Sequence, residues 1–180
     1  MKHASRIRTL AAATIAAAAA VGMPAAAAHA QDGTTAASPR RSGFGIGIGS
    51  GTIASGLSLK IPRGAHAFQV VAGFWGGGDL DERFDSPNGV AASFDFLFEM
   101  PTLARSAYFT IDWSFGLGGG VGVPEFDRKL GLAGAGVAGL EFNFTRVPLD
   151  LTVEYRPTLE ILPEPDLHLV SFTAHLRFWL

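Results

Sequence analysis

The chain has 180 residues, 48% of them hydrophobic, and a formal net charge of −2, which suffices for one domain with a sizeable core and not for two. Its slightly acidic balance offers nothing to attract nucleic acid. There is no cysteine, so neither disulfides nor a lipid-modified N-terminal cysteine can anchor the fold, and stability must rest on packing and hydrogen bonding.

Residues 1–30 read as a secretory signal peptide. Lys2, Arg6 and Arg8 form a basic n-region, Leu10 to Val21 an Ala-rich apolar core, and Ala28-His29-Ala30 a small-x-small cleavage site before Gln31. That core is too short and too weakly hydrophobic for a membrane anchor, and Gly22 and Pro24 interrupt its end. Cleavage there removes three of the 14 basic residues and none of the 16 acidic ones, leaving a net charge of −5. Residues 31–42, "QDGTTAASPRRS", are small and polar without periodicity, as in a flexible periplasmic leader.

The ordered part begins at "GFGIGIGSGTIA", whose last six residues, Gly49 to Ala54, fit a loose G-x-G-x-x-A dinucleotide fingerprint. Such a loop must follow a strand and open a helix. Here Phe44, Ile46 and Ile48 alternate with Gly43, Gly45, Gly47 and Gly49, and the segment after Ala54 alternates as well, so the run is a strand with one glycine face.

Alternation then continues almost to the last residue and defines eight strands: 43–50, 56–62, 66–75, 89–99, 107–122, 130–144, 148–162 and 167–180. In the fourth, Val90, Ala92, Phe94, Phe96, Phe98 and Met100 oppose Ala91, Ser93, Asp95 and Glu99. In the fifth, Phe109, Ile111, Trp113, Phe115 and Leu117 oppose Thr110, Asp112, Ser114, Gly116 and Gly118. The seventh sets Leu149, Leu151, Val153, Tyr155, Leu159 and Ile161 against Asp150, Thr152, Glu154, Arg156, Thr158 and Glu160. The last sets Val170, Phe172, Ala174, Leu176, Phe178 and Leu180 against Ser171, Thr173, His175 and Arg177.

An even number of strands closes into an up-and-down barrel. The connectors "GGGDLDERFDSPNG", "VPEFDRK" and "PEPD" are acidic, whereas "PRGA", "PTLARS" and "TRVP" are short and carry Arg, a difference between rims that suits an outer-membrane barrel. A soluble lipocalin-like carrier of apolar ligands would have the same strand count with the faces reversed. The polar face here is rich in Gly, Ala and Ser, which suits a crowded lumen, and the apolar face carries Phe44, Phe74, Phe98, Phe109, Phe144 and Phe178 near strand ends, as interface girdles do. The expectation is a closed antiparallel eight-stranded transmembrane β-barrel over residues 43–180.

Alternation points Lys60, Asp95, Glu99, Asp112, Glu141, Asp150, Glu154, Arg156, Glu160, His175 and Arg177 inward. They could line a small cation-selective channel, because acids outnumber bases. An eight-stranded lumen is only wide enough for side chains to fill, which favours a polar plug instead. Asp79, Asp81, Glu82, Arg83 and Asp85 belong to the longest connector, expected outside the cell.

The stretch "GLEFNFTRVPLDLTVEYRPTLEILP", Gly139 to Pro163, with the aromatic-rich terminus after it, resembles a poorly characterised group among the small OmpA/OmpX-type outer-membrane barrels of Gram-negative cells. That resemblance implies a monomer with a structural or interactive role, with outer-membrane lipid, lipopolysaccharide and, through its C-terminal strand, the barrel-assembly machinery as partners. Members usually end in Phe or Trp, whereas this chain ends Phe178-Trp179-Leu180.

No residue pattern points to an enzyme, a cofactor or a metal. His168 and Ser171 fall on opposite faces, and His175 and Ser171 are too far apart along a strand for one to activate the other. The histidines are dispersed, and Asp79-Asp81-Glu82-Asp85 lacks the spacing of a Ca²⁺ loop.

Overall fold

The computed structural model describes residues 43–75, 89–123 and 130–180. Residues 1–30, expected as a signal peptide, residues 31–42, expected as a leader, and the loop residues Asp79, Asp81, Glu82, Arg83 and Asp85 lie outside them. The elements are β1 (Gly45–Ser50), β2 (Ala54–Arg63), β3 (His66–Trp75), β4 (Val90–Glu99), β5 (Ala104–Arg105), β6 (Phe109–Val123), β7 (Gly131–Phe144), β8 (Leu149–Tyr155), β9 (Thr158–Leu162), β10 (Asp166–His168) and β11 (Phe172–Trp179).

Every pairing is antiparallel, and the ladder runs β1-β2-β3-β4-β6-β7-β8-β11 and back to β1. With β9 continuing β8 and β10 preceding β11, this is a closed eight-stranded barrel, the fold the alternation predicts. Closure leaves no sheet edge in the wall, so backbone amides and carbonyls find partners around the whole circumference.

Three details depart from the strand limits expected above. The second strand is longer, Ala54–Arg63 rather than 56–62, because residues 51–53 alone make the turn from β1, where Gly51 N–H and Ser55 Oγ meet at 3.1 Å. The connector after β4 is no tight turn, since Ala104 and Arg105 fold back as β5 against Ile111 and Thr110. The seventh strand breaks at Arg156-Pro157, where proline has no N–H for the ladder. Up to that point β8 pairs with β7 and β11; beyond it β9 pairs with β7 and β10. Residues 169–171 interrupt the eighth strand at the same level, and Arg156 N–H donates to the Ser171 carbonyl at 2.8 Å to keep the break bonded.

The seam between the first and last strands explains the glycine face. Gly45 lies opposite Trp179, Gly47 opposite Arg177 and Gly49 opposite His175, so each inward glycine of β1 faces a bulky inward side chain of β11. A Cβ on Gly45 would stand 3.1 Å from the Trp179 ring. Backbone bonds between Phe44 and Leu180, at 3.4 and 3.0 Å, finish the seam at the end that holds both described termini.

The wall is inverted relative to a water-soluble protein. Among the described residues thirty-one large apolar side chains are exposed, against ten buried hydrophobic residues of which five are alanine. The apolar contacts inside are small clusters: Ala67, Leu97 and Val137; Ala54, Val71 and Ala91; and Ile53 with Ala133 and Ala135. The remaining interior is polar.

Candidate functional site: the polar lumen

Sixteen polar or charged residues are buried among those described, and most of them converge in the barrel interior. They form two connected layers. Towards the rim that carries both described termini, Lys60 of β2 lies 2.8 Å from Glu99 of β4 and also bonds Glu141 of β7. Arg177 of β11 donates through Nε to Asp150 of β8 at 3.1 and 3.3 Å and through Nη2 to Thr152 at 2.6 Å. Trp179 Nε1 donates to Asp150 Oδ2 at 2.5 Å, and Asn143 Nδ2 spans Asp112 at 2.9 Å and Glu141 at 2.8 Å.

In the middle layer Arg156 grips Asp95 of β4 with both terminal nitrogens, Nη1 at 3.0 Å, and lies 3.5 Å from Glu154. Gln69 of β3 joins the layers. Its Nε2 donates to Glu154 at 2.9 Å and Asp95 at 3.2 Å, while its Oε1 accepts from Arg177 at 2.5 Å. Each carboxylate here meets a cation or several donors, which is the condition for burying charge at tolerable cost.

Glycine makes room for this network as well. A Cβ on Gly118 of β6 would collide with the Asp95 carboxylate, its partner across the ladder. Gly49 has a further effect. With no side chain there, Ser58 of β2 and His175 of β11 reach each other across β1, and Ser58 Oγ lies 3.1 Å from His175 Nδ1. His175 Nε2 in turn lies 3.3 Å from Glu154. A Ser-His-Glu relay thus exists, but Ser58, His175 and Glu154 are 0%, 1% and 0% exposed, so the hydroxyl has no open side for a substrate.

Of the inward residues expected from alternation, Lys60, Asp95, Glu99, Glu141, Asp150, Glu154, Arg156, His175 and Arg177 come together in this network. Asp112 is half-buried near the terminal rim beside Asn143, and Glu160 is half-buried at the opposite rim beside His168. Sequence reasoning missed Gln69, Ser58 and Trp179. Trp179 carried a parity signal, two residues beyond Arg177; Ser58 carried none of its contact with His175, which crosses an intervening strand.

The architecture therefore defines a small closed β-barrel with a charged, hydrogen-bonded interior. No family model, no curated protein and no solved structure matches the chain.

Proposed function

We propose that this chain is an outer-membrane barrel protein of Gram-negative type with a plugged polar lumen and a structural or surface-interaction role. The observation that carries the reading is the inverted wall. Ile48, Leu57, Phe94, Leu117 and Leu176 all point outward and are exposed, while Arg156, Arg177 and Asp95 are sealed inside. Water solvates such a wall poorly and lipid solvates it well. A lipocalin-like carrier needs the opposite assignment of faces.

Further features support the same reading. Rings cluster on the outer surface, with Phe98 and Phe115 stacked at 5.2 Å and Phe68 lying 5.8 Å from Phe94 and 5.4 Å from Phe96 along the β3–β4 face. Arg63, Arg105 and Arg146 are exposed on the rim that holds the described termini, with Arg146 over the Tyr108 ring at 5.1 Å, an arrangement suited to lipid phosphates. Glu164 and Asp166 are exposed on the other rim, which we assign to the cell exterior. The joined layers from Lys60 to Arg156 favour a closed lumen over a cation channel.

The test is the electrophoretic mobility of the full-length protein from purified outer membranes, with and without boiling in detergent. A shift on boiling, in that fraction, is the expected result. Recovery from the soluble periplasm with unchanged mobility would overturn the proposal and redirect the search to apolar ligands in a soluble barrel.

A further inference from the structure

Above the plugged lumen, the β9–β10 hairpin places three metal-binding side chains on one patch. Asp166 pairs directly with Glu160, and His168 pairs with Thr158, so all three side chains fall on the same face of the hairpin. His168 Nε2 lies 3.6 Å from Glu160 Oε2 and 3.5 Å from Asp166 Oδ2, and the three donor atoms all lie within 4.8 Å of one another. Asp166 is held in this pose because its Oδ1 accepts from the Leu167 N–H at 2.8 Å, leaving Oδ2 turned to the imidazole.

We propose that Glu160, Asp166 and His168 form a binding site for a single zinc-like divalent cation at the loop-side mouth of the barrel. Four ligands around tetrahedral Zn²⁺ at about 2.0–2.1 Å stand roughly 3.3–3.4 Å apart. The two nitrogen-to-oxygen separations are already close to that edge length, and the third edge, between the carboxylates, is at most 4.8 Å, so side-chain rotation alone can bring the three donors round one ion. One imidazole with two carboxylates selects Zn²⁺ or its transition-metal neighbours over Ca²⁺ and Mg²⁺, which take all-oxygen shells. The side chains of His168 and Asp166 are 42% and 67% exposed, so the ion can enter from solvent and water can complete its shell.

The site follows from hairpin register and not from where the barrel resides, so it stands or falls independently of the membrane assignment. On the wall, Glu160 pairs with Ala133, which packs on Ile53 with Ala135. A cation there ties the β9–β10 hairpin to itself at the point where the seventh strand has already broken.

The rival is a plain polar contact of His168 with its two carboxylate neighbours, with no affinity for metal. Titration calorimetry with zinc chloride on the full-length chain folded in detergent separates the two. One saturable Zn²⁺ site per chain is expected, weakened at least tenfold in His168→Ala and in Glu160→Gln, and unchanged in His66→Ala. Excess Ca²⁺ should leave the Zn²⁺ affinity unchanged. His168→Gln, which keeps a polar side chain, serves if the alanine variant does not fold, as judged by its gel mobility. The imidazole nitrogen resonances lost in that variant should move during zinc titration of the unaltered chain. No saturable Zn²⁺ binding to a folded barrel, or binding that survives loss of His168, or equal competition by Ca²⁺, would overturn the site.

Discussion

Arg156 reaches from the break in the seventh strand to grip Asp95, sixty-one positions earlier in the chain, with both terminal nitrogens of its guanidinium. Both side chains are sealed, Asp95 at 0% and Arg156 at 2% exposure. Removing the Asp95 charge leaves the buried Arg156 with the more distant Glu154 carboxylate, 3.5 Å away, as its counter-charge. Asp95→Asn should therefore lower the unfolding free energy by about 3–5 kcal/mol, whereas Asp95→Asn combined with Arg156→Met should recover much of that loss. Urea unfolding of the barrel refolded in lipid vesicles checks both, and additive losses in the double variant would disprove direct coupling.

Gly49 separates Ser58 from His175, and the space it leaves is already claimed. A Cβ there would stand 2.5 Å from His175 Nδ1 and 3.3 Å from Ser58 Cβ. Gly49→Val should cost about 1–3 kcal/mol by overpacking and reduce the folded fraction on an unboiled gel. The same change at Gly64, where a Cβ would meet nothing within 4 Å but φ is +65°, tests backbone strain without crowding. It should leave the lumen network intact.

Leu117 points outward from β6 and is 73% exposed. In lipid, Leu117→Arg near mid-wall should destabilise the barrel by about 2–4 kcal/mol. In a water-soluble barrel the same change would be neutral or improve solubility. Vesicle-based unfolding of this variant therefore probes which solvent the wall is built for, and a destabilisation under about 0.5 kcal/mol would count against lipid.

Planar-bilayer recording should give no sustained conductance steps from the unaltered protein, because the network crosses the lumen from Lys60 to Arg156. Sustained steps altered by Asp112→Asn or Glu154→Gln would show that ions pass the layers and would refute the plug.

Much of this was legible in the alternation itself. Asp95 interrupts a run of Phe94, Phe96 and Phe98, and an isolated carboxylate in such a strand has nowhere to go but inward. The 149–161 segment likewise sorts its acids from its aliphatics without ambiguity. Gln69 was hidden because its strand, "HAFQVVAGFW", has hydrophobic residues on both faces, with Ala67 and Val71 inside beside it. Contacts between residues on different strands could not be read at all. Ser58 meets His175 over a strand lying between them, and Glu160 meets His168 through a hairpin register that begins only where the ladder breaks at Pro157. Period-2 patterning gives each side chain a face but not a neighbour two strands away.

The large-on-small seam between β1 and β11 lets the chain count its own strands. Seven strands could in principle close by joining β1 to β8, but that ring would enclose Asp150 and Glu154 without Arg177, Trp179 and His175, which arrive only on β11. It would also set Gly45, Gly47 and Gly49 beside β8 instead of beside Trp179, Arg177 and His175, which they face in this barrel. A miscounted ring would thus lack both the bulky seam partners of those glycines and the donors to those carboxylates, and the eighth strand supplies the two together.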